Sequence, residues 1–179
     1  MCVAYFGFLR ASNLLCPTAT LWAGPHTLAR CEIFSDPTGL AVVIRSTKTL
    51  SVNSPPVVLS LPRIPGSPSC PAAAWDTYVS RVPAPYWAPA FHRIGGAPLV
   101  PSDMIKSLRQ ALASFSCPYA HTVSCHSLRR GGARGAVFAG ADRTDVATHG
   151  TWTSVQGMRP YVPSQASLRV SNSLATLFG

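Results

Sequence analysis

Apolar residues dominate the start of the chain and predict a helix from Met1 to about Leu15, ending before Pro17. Two β-type runs follow, TLARCEIF and LAVVIRS, and the turn sequence DPTG between them predicts a hairpin. The run PPVVLSLP predicts a third strand with prolines at its margins. Lys48 is expected in the turn between the second and third strands.

Helical patterns follow the sheet. Ser69 is expected to cap a helix that runs to about Arg81. After a proline-rich loop over about residues 83–101, Ser102 is expected to cap a helix with the sequence DMIKSLRQALASF.

The last third of the chain also favours helices. Ser124 is expected to cap a helix that carries His126 and Arg129 and stops near Gly140. A short helix is expected near residues 143–148, and the tail SQASLRVSNSLATLF is compatible with a final helix. One helix, a small antiparallel sheet and then several helices predict a mostly helical α+β domain.

The amino-acid composition indicates a basic globular domain. The 179 residues suffice for one domain, and 47% hydrophobic residues against 12% charged residues exclude a disordered tail. Fifteen Lys and Arg residues against six acidic residues give a net charge of +9. A basic globular domain is a candidate for binding nucleic acid or an anionic membrane.

Other sequence signals favour an intracellular protein without a membrane span. No apolar run approaches the roughly 18–20 residues that span a bilayer. The only charge of the apolar start, Arg10, follows it, which argues against a signal peptide. Six scattered cysteines without a CxxC pair indicate reduced thiols, and the Cys and His residues between 117 and 126 fit no standard zinc finger.

Two segments contain candidate catalytic residues, HSLRRGGA and the later GTWTSVQGMRPYV. His126 and Arg129, three residues apart, share one face of a helix, where they suit an anion. Tyr161 beside them would be a candidate nucleophile. The segment GGARG lacks the Lys-Ser/Thr ending of a phosphate loop, so Gly131 and Gly132 are expected to allow close helix packing.

These segments together resemble the catalytic domain of the tyrosine recombinases, the integrase family of phages and mobile elements. GFLRASNLL is similar to the first arginine box, IRSTKTL to the lysine segment of the β-hairpin, and HSLRRGGA to the His-x-x-Arg box. The amino-acid sequences of these segments are most similar to those of the recombinases of DIRS-type and Ngaro-type retrotransposons and of cryptons. The residues that match the family's catalytic positions are Arg10, Lys48, His126, Arg129, Trp152 and Tyr161.

The resemblance implies a specific role for each of these residues in the cleavage of a DNA phosphodiester. Arg10 and Arg129 would clamp the non-bridging phosphate oxygens, and Trp152 would offer its indole N–H where other members offer His. Tyr161 would attack phosphorus, and Lys48 would protonate the leaving 5′ oxygen.

His126 would accept the tyrosyl proton or donate to a phosphate oxygen. The resemblance implies no cofactor and no metal, because the arginines supply the charge. Each residue could instead have a purely structural role. Lys48 could be an ordinary surface lysine, Arg10 could lie at the edge of the core, and Trp152 and Tyr161 could only pack against other side chains.

Two positions depart from the family pattern. The family usually carries an acidic residue three positions after its first arginine, and this chain has Asn13, whose amide can still orient a neighbour by hydrogen bonds. Pro160 directly precedes Tyr161, where it starts a new turn or displaces the tyrosine.

The resemblance also sets the expected organisation. Residues 1–179 would form the catalytic domain, without the separate helical DNA-binding domain that usually precedes it. The expected partners are double-stranded DNA and three further copies of the chain, without a membrane, and the expected compartment is the nucleus if the mobile element is eukaryotic. Two alternative functions stay open: a crippled DNA-binding remnant, and type IB topoisomerase-like relaxation of DNA.

Overall fold

The structure, a computed structural model, describes residues 1–20, 22, 24–47 and 53–162. The predicted helix from Met1 to Leu15 is wrong, because the segment forms two short helices, α1 (Cys2–Phe6) and α2 (Ala11–Leu14). The break begins at Gly7, where a side chain would press on the Val3 carbonyl, and continues through Phe8, which has a left-handed φ of 48°. The break turns the chain so that Arg10 precedes α2 instead of lying within a helix.

The predicted small sheet is confirmed. Its strands are β1 (Ile33–Ser35), β2 (Gly39–Ile44) and β3 (Val57–Pro62), antiparallel in the order β1-β2-β3. Val42 at the centre of β2 pairs with Ile33 on one side and with Leu59 on the other, and all three side chains are buried. The alternation of buried and exposed positions along β3 is that of a sheet with one face on the core.

The next two helices, α3 (Pro71–Arg81) and α4 (Pro101–Ser114), lie where they were predicted, but their predicted caps are wrong. Each helix begins with a proline at its first position, where the missing N–H and the fixed φ are tolerated. The cap is therefore the residue before the proline, Cys70 for α3 and Val100 for α4, instead of Ser69 and Ser102.

Three helices complete the described chain: α5 (Cys125–Phe138), α6 (Arg143–His149) and α7 (Val155–Met158). Ser124 is the N-cap of α5, as predicted, and its N–H donates to the Ser127 hydroxyl. Short 3₁₀ turns span Gly24–His26, Arg30–Glu32 and Ala120–Thr122.

Buried apolar side chains form two clusters. The larger one joins α1, the inner face of the sheet and α3, and includes Val42 and Trp75. The smaller one joins Phe8 to α5, α6 and α7, and Trp152 and Tyr161 pack against its edge. Among the described residues, no helix is both long enough and apolar enough to cross a membrane.

The close approach of α1 and α5 depends on glycine. A Cβ at Gly132 would collide with the Tyr5 carbonyl oxygen and lie 2.7 Å from the Phe8 ring. A Cβ at Gly131 would meet only the edge of the Tyr5 ring. The expected role in close packing is confirmed for Gly132, and it brings the N-terminal break against the helix that carries His126 and Arg129.

Candidate active site

Arg129 is a buried cation held by main-chain carbonyls. Its side chain is among the most buried of the chain, with the residue 2% exposed. One terminal nitrogen, Nη1, donates to the Phe8 carbonyl, and the other, Nη2, donates to the Gly150 carbonyl at 2.7 Å. The Trp152 ring lies 3.8 Å from the guanidinium carbon, in cation–π contact. The left-handed Phe8 and the end of α6 thus fix the guanidinium in place.

Arg10 lies close enough to repel this guanidinium. Burial, and then the charge of Arg10, lower the pKa of Arg129 to about 10, while Tyr161 acts in the opposite direction. Arg129 therefore stays charged at neutral pH. None of the three ion pairs among the described residues involves either arginine.

Both arginines keep donors without an acceptor. Within the described residues, Nη1 of Arg10 and Nε of Arg129 are buried and have no hydrogen-bond partner. An unpaired buried donor on a cation is costly, and an anion between the two arginines would remove that cost. The pair therefore forms a candidate site for an anion.

Tyr161 lies beside this pair, in the turn that follows α7. Its N–H donates to the Met158 carbonyl at 2.8 Å, so the exposed Pro160 lies inside a turn that closes between Met158 and Tyr161. The Tyr161 hydroxyl lies 2.8 Å from Nε2 of His126. The Tyr161 ring lies 5.0 Å from the His126 ring and 5.2 Å from the Trp152 ring, centroid to centroid.

The charges around His126 favour its neutral form. Partial burial lowers the pKa of the imidazole first, and repulsion from Arg129, Arg130 and Arg10 lowers it further. In the neutral form with the proton on Nδ1, Nε2 accepts the hydrogen bond from the Tyr161 hydroxyl. His126 is thereby placed to take the tyrosyl proton.

Asn13 stands three positions after Arg10, where the tyrosine recombinases usually carry an acidic residue. Its side chain is buried, and its amide nitrogen donates to the Ser46 carbonyl at 2.9 Å. The main-chain carbonyl of Asn13 accepts a hydrogen bond from the Leu28 N–H at 2.8 Å. Through its side-chain amide, Asn13 ties α2 to Ser46, in the segment that follows β2.

The structure brings together five of the six residues predicted from the motifs, namely Arg10, His126, Arg129, Trp152 and Tyr161. Lys48 lies outside the described residues. Within the described part of the chain, no three His, Cys, Asp or Glu side chains group closely enough to hold a metal ion.

The motifs did not reveal the carbonyls of Phe8 and Gly150 that hold Arg129, or the ring of His149, which contacts the Phe6 carbonyl and the Phe8 ring. No residue type in the sequence signals these contacts, because the acceptors for Arg129 and His149 are main-chain carbonyls.

Comparison with solved structures identifies the fold. The XerH site-specific recombinase bound to its difH substrate, in a pre-cleavage complex, has a TM-score of 0.60 at 12% identity, over 96% of this chain and 44% of that one. Its post-cleavage complex with a palindromic difH substrate gives a TM-score of 0.61 at 13% identity, over 98% and 44%. The Tn1549 transposon integrase in complex with transposon right end DNA gives 0.51 at 14% identity, over 96% and 55%.

The chain therefore has the fold of the tyrosine recombinase catalytic domain, mostly helical with a small three-stranded antiparallel sheet. It spans about half the length of the recombinases that it matches. No model of a protein family and no curated protein sequence matches this chain.

Proposed function

We propose that this chain cleaves and rejoins DNA strands through a 3′-phosphotyrosyl intermediate, with Tyr161 as the nucleophile. One observation carries the proposal: a tyrosine hydroxyl that is hydrogen-bonded to a histidine lies beside two arginines, neither of which takes part in an ion pair found among the described residues. A phosphodiester supplies the anion that the arginines lack and the electrophile that the tyrosine requires.

The cleavage step balances without a further reactant. The Tyr161 oxygen forms a bond to phosphorus and passes its proton to Nε2 of His126. The bond from phosphorus to the 5′ oxygen breaks, and that oxygen leaves with its electron pair and a proton from Lys48. Attack by a 5′ hydroxyl on the phosphotyrosine reverses both transfers and joins a strand.

The arginines stabilise the charge that develops on the non-bridging oxygens during this step. Arg129 reaches the phosphate through its unpaired Nε, and Arg10 reaches it through its unpaired Nη1. Trp152 stacks on Arg129 and keeps water from its guanidinium, which strengthens the interaction with phosphate.

The proposed partner is double-stranded DNA. The similar XerH and Tn1549 structures are complexes with DNA, and the net charge of +9 suits the phosphate backbone. We propose that four copies act on two duplexes in the recombination of a mobile element of the DIRS, Ngaro or crypton type, in the nucleus where that element is eukaryotic and otherwise within the cell.

A suicide substrate tests the proposal. In a duplex nicked close to the scissile phosphate, the short 5′ fragment diffuses away after cleavage and leaves the protein covalently bound. The wild-type chain should form this adduct also in EDTA, because the arginines carry the charge stabilisation, and Tyr161→Phe should form none.

Binding of the duplex without any adduct would instead identify a DNA-binding remnant and refute the proposed activity. Relaxation of supercoiled DNA by the wild type, without exchange between duplexes, would favour the topoisomerase-like alternative.

A further inference from the structure

His149 links the two main-chain segments that hold Arg129. It is the last residue of α6, and Nε2 of its half-buried ring lies 2.9 Å from the Phe6 carbonyl oxygen. A carbonyl only accepts, so Nε2 carries a proton and donates it. The next residue, Gly150, provides one of the two carbonyls that bind Arg129.

The same ring supports the residue that provides the other carbonyl. The Phe8 and His149 rings meet edge to face, with centroids 4.8 Å apart and an interplanar angle of 69°. Phe8 has a left-handed φ of 48°, a conformation that is strained for a bulky residue and persists only where its surroundings hold it. His149 contributes to that support on both sides, through the Phe6 carbonyl and through the Phe8 ring.

We propose that His149 is a positioning residue for the DNA cleavage step, an inference that rests on the proposed function. It does not touch the phosphate. It fixes the separation between the end of α6 and residues 6–8, and therefore the separation between the Gly150 and Phe8 carbonyls. That separation sets the orientation of the Arg129 guanidinium, and the direction in which its unpaired Nε points.

Two substitutions separate the hydrogen bond from the bulk of the ring. His149→Gln keeps an N–H donor near the position of Nε2, and His149→Leu removes the donor but keeps an apolar side chain. His121→Leu is the control, since it removes an exposed histidine of the 3₁₀ turn Ala120–Thr122. Adduct formation is timed on suicide duplexes with either a normal scissile phosphate or a methylphosphonate, which lacks the negative charge.

On the normal phosphate, His149→Leu should slow adduct formation by about 10- to 100-fold, because misplacing a positioned group by about 1 Å costs that much. His149→Gln should recover most of the rate, and the control should match the wild type. On the methylphosphonate, the loss in His149→Leu should shrink markedly, because a neutral phosphoryl group depends less on Arg129.

An equal loss on both substrates would show that His149 only supports the fold, and a wild-type rate in His149→Leu would show that it positions nothing. Either result overturns the inference while the proposed function stands. Absence of an adduct with the wild-type chain would refute the proposed function itself, and the inference with it.

The protonated ring nitrogen of His149 can also be identified spectroscopically in the wild-type chain, so this test does not depend on whether a variant folds. In nitrogen-15 spectra at a pH where His149 is neutral, its proton should reside on Nε2 and its Nδ1 should be bare. A proton on Nδ1 with a bare Nε2 would contradict the hydrogen bond to Phe6 on which the inference depends.

Discussion

Two adjacent glycines of α5 offer a matched test of how the site is assembled. Gly132→Ala places a methyl group against the Tyr5 carbonyl oxygen, which belongs to the backbone of α1, and 2.7 and 2.9 Å from two atoms of the Phe8 ring. Gly131→Ala places the same group 3.2 Å from the edge of the Tyr5 ring, an exposed side chain that can move aside.

The expected magnitudes follow from this difference. Either substitution gains about 1 kcal/mol of helix propensity, because Ala replaces Gly in a helix interior. Overpacking costs typically about 1–3 kcal/mol, and Gly132→Ala belongs at the upper end because a backbone atom must move. Gly132→Ala should therefore be less stable than Gly131→Ala by about 2 kcal/mol, which corresponds to a melting temperature lower by about 4–8 °C.

Chemical denaturation of both variants beside the wild type measures the free energies of unfolding. Gly132→Ala should also lose cleavage activity at temperatures where it is folded, because Phe8 carries a carbonyl that holds Arg129. Equal stability of the two variants would refute the close approach of α1 and α5. A destabilised but fully active Gly132→Ala would refute the link between that contact and Arg129.

Three further predictions concern the chemistry and the binding of DNA. Lys48→Ala should slow cleavage of a normal phosphodiester but not of a substrate with a 5′-bridging sulfur, which leaves without a proton; equal loss on both would assign Lys48 another role. Burial and neighbouring arginines lower the pKa of His126 below its ordinary 6.5. The cleavage rate should therefore persist at pH 6.5 and fall only as the pH drops through the lowered pKa. In His126→Gln, this acidic decline of the pH–rate profile should be absent. Affinity for duplex DNA should fall steeply between low and physiological salt through counterion release, and a flat response would contradict a phosphate-binding face.

The sheet and the later helices were predictable because their signals are local. The three strands follow from β-branched runs bounded by turn residues, and Ser124 caps α5 as its position suggests. The caps of α3 and α4 were misplaced because the prolines at their first positions outweigh the preference for serine at the cap.

The N-terminal segment was mispredicted because its apolar composition hid the break at Gly7. The break depends on contacts with α5 and α6, more than a hundred residues away in sequence, through Arg129 and His149. Motif spacing was sufficient to group His126, Arg129, Trp152 and Tyr161. The way in which Arg129 is held was not predictable, because its acceptors belong to the main chain.

Mapping the residue that becomes covalently attached to DNA tests Tyr161 as the nucleophile. The chain has five tyrosines, so the trapped adduct can be digested and the modified residue assigned by mass spectrometry. We expect a nucleotide linked through phosphate to Tyr161 and to no other residue. A linkage to another residue, or a cleaved strand without any protein linkage, would contradict it.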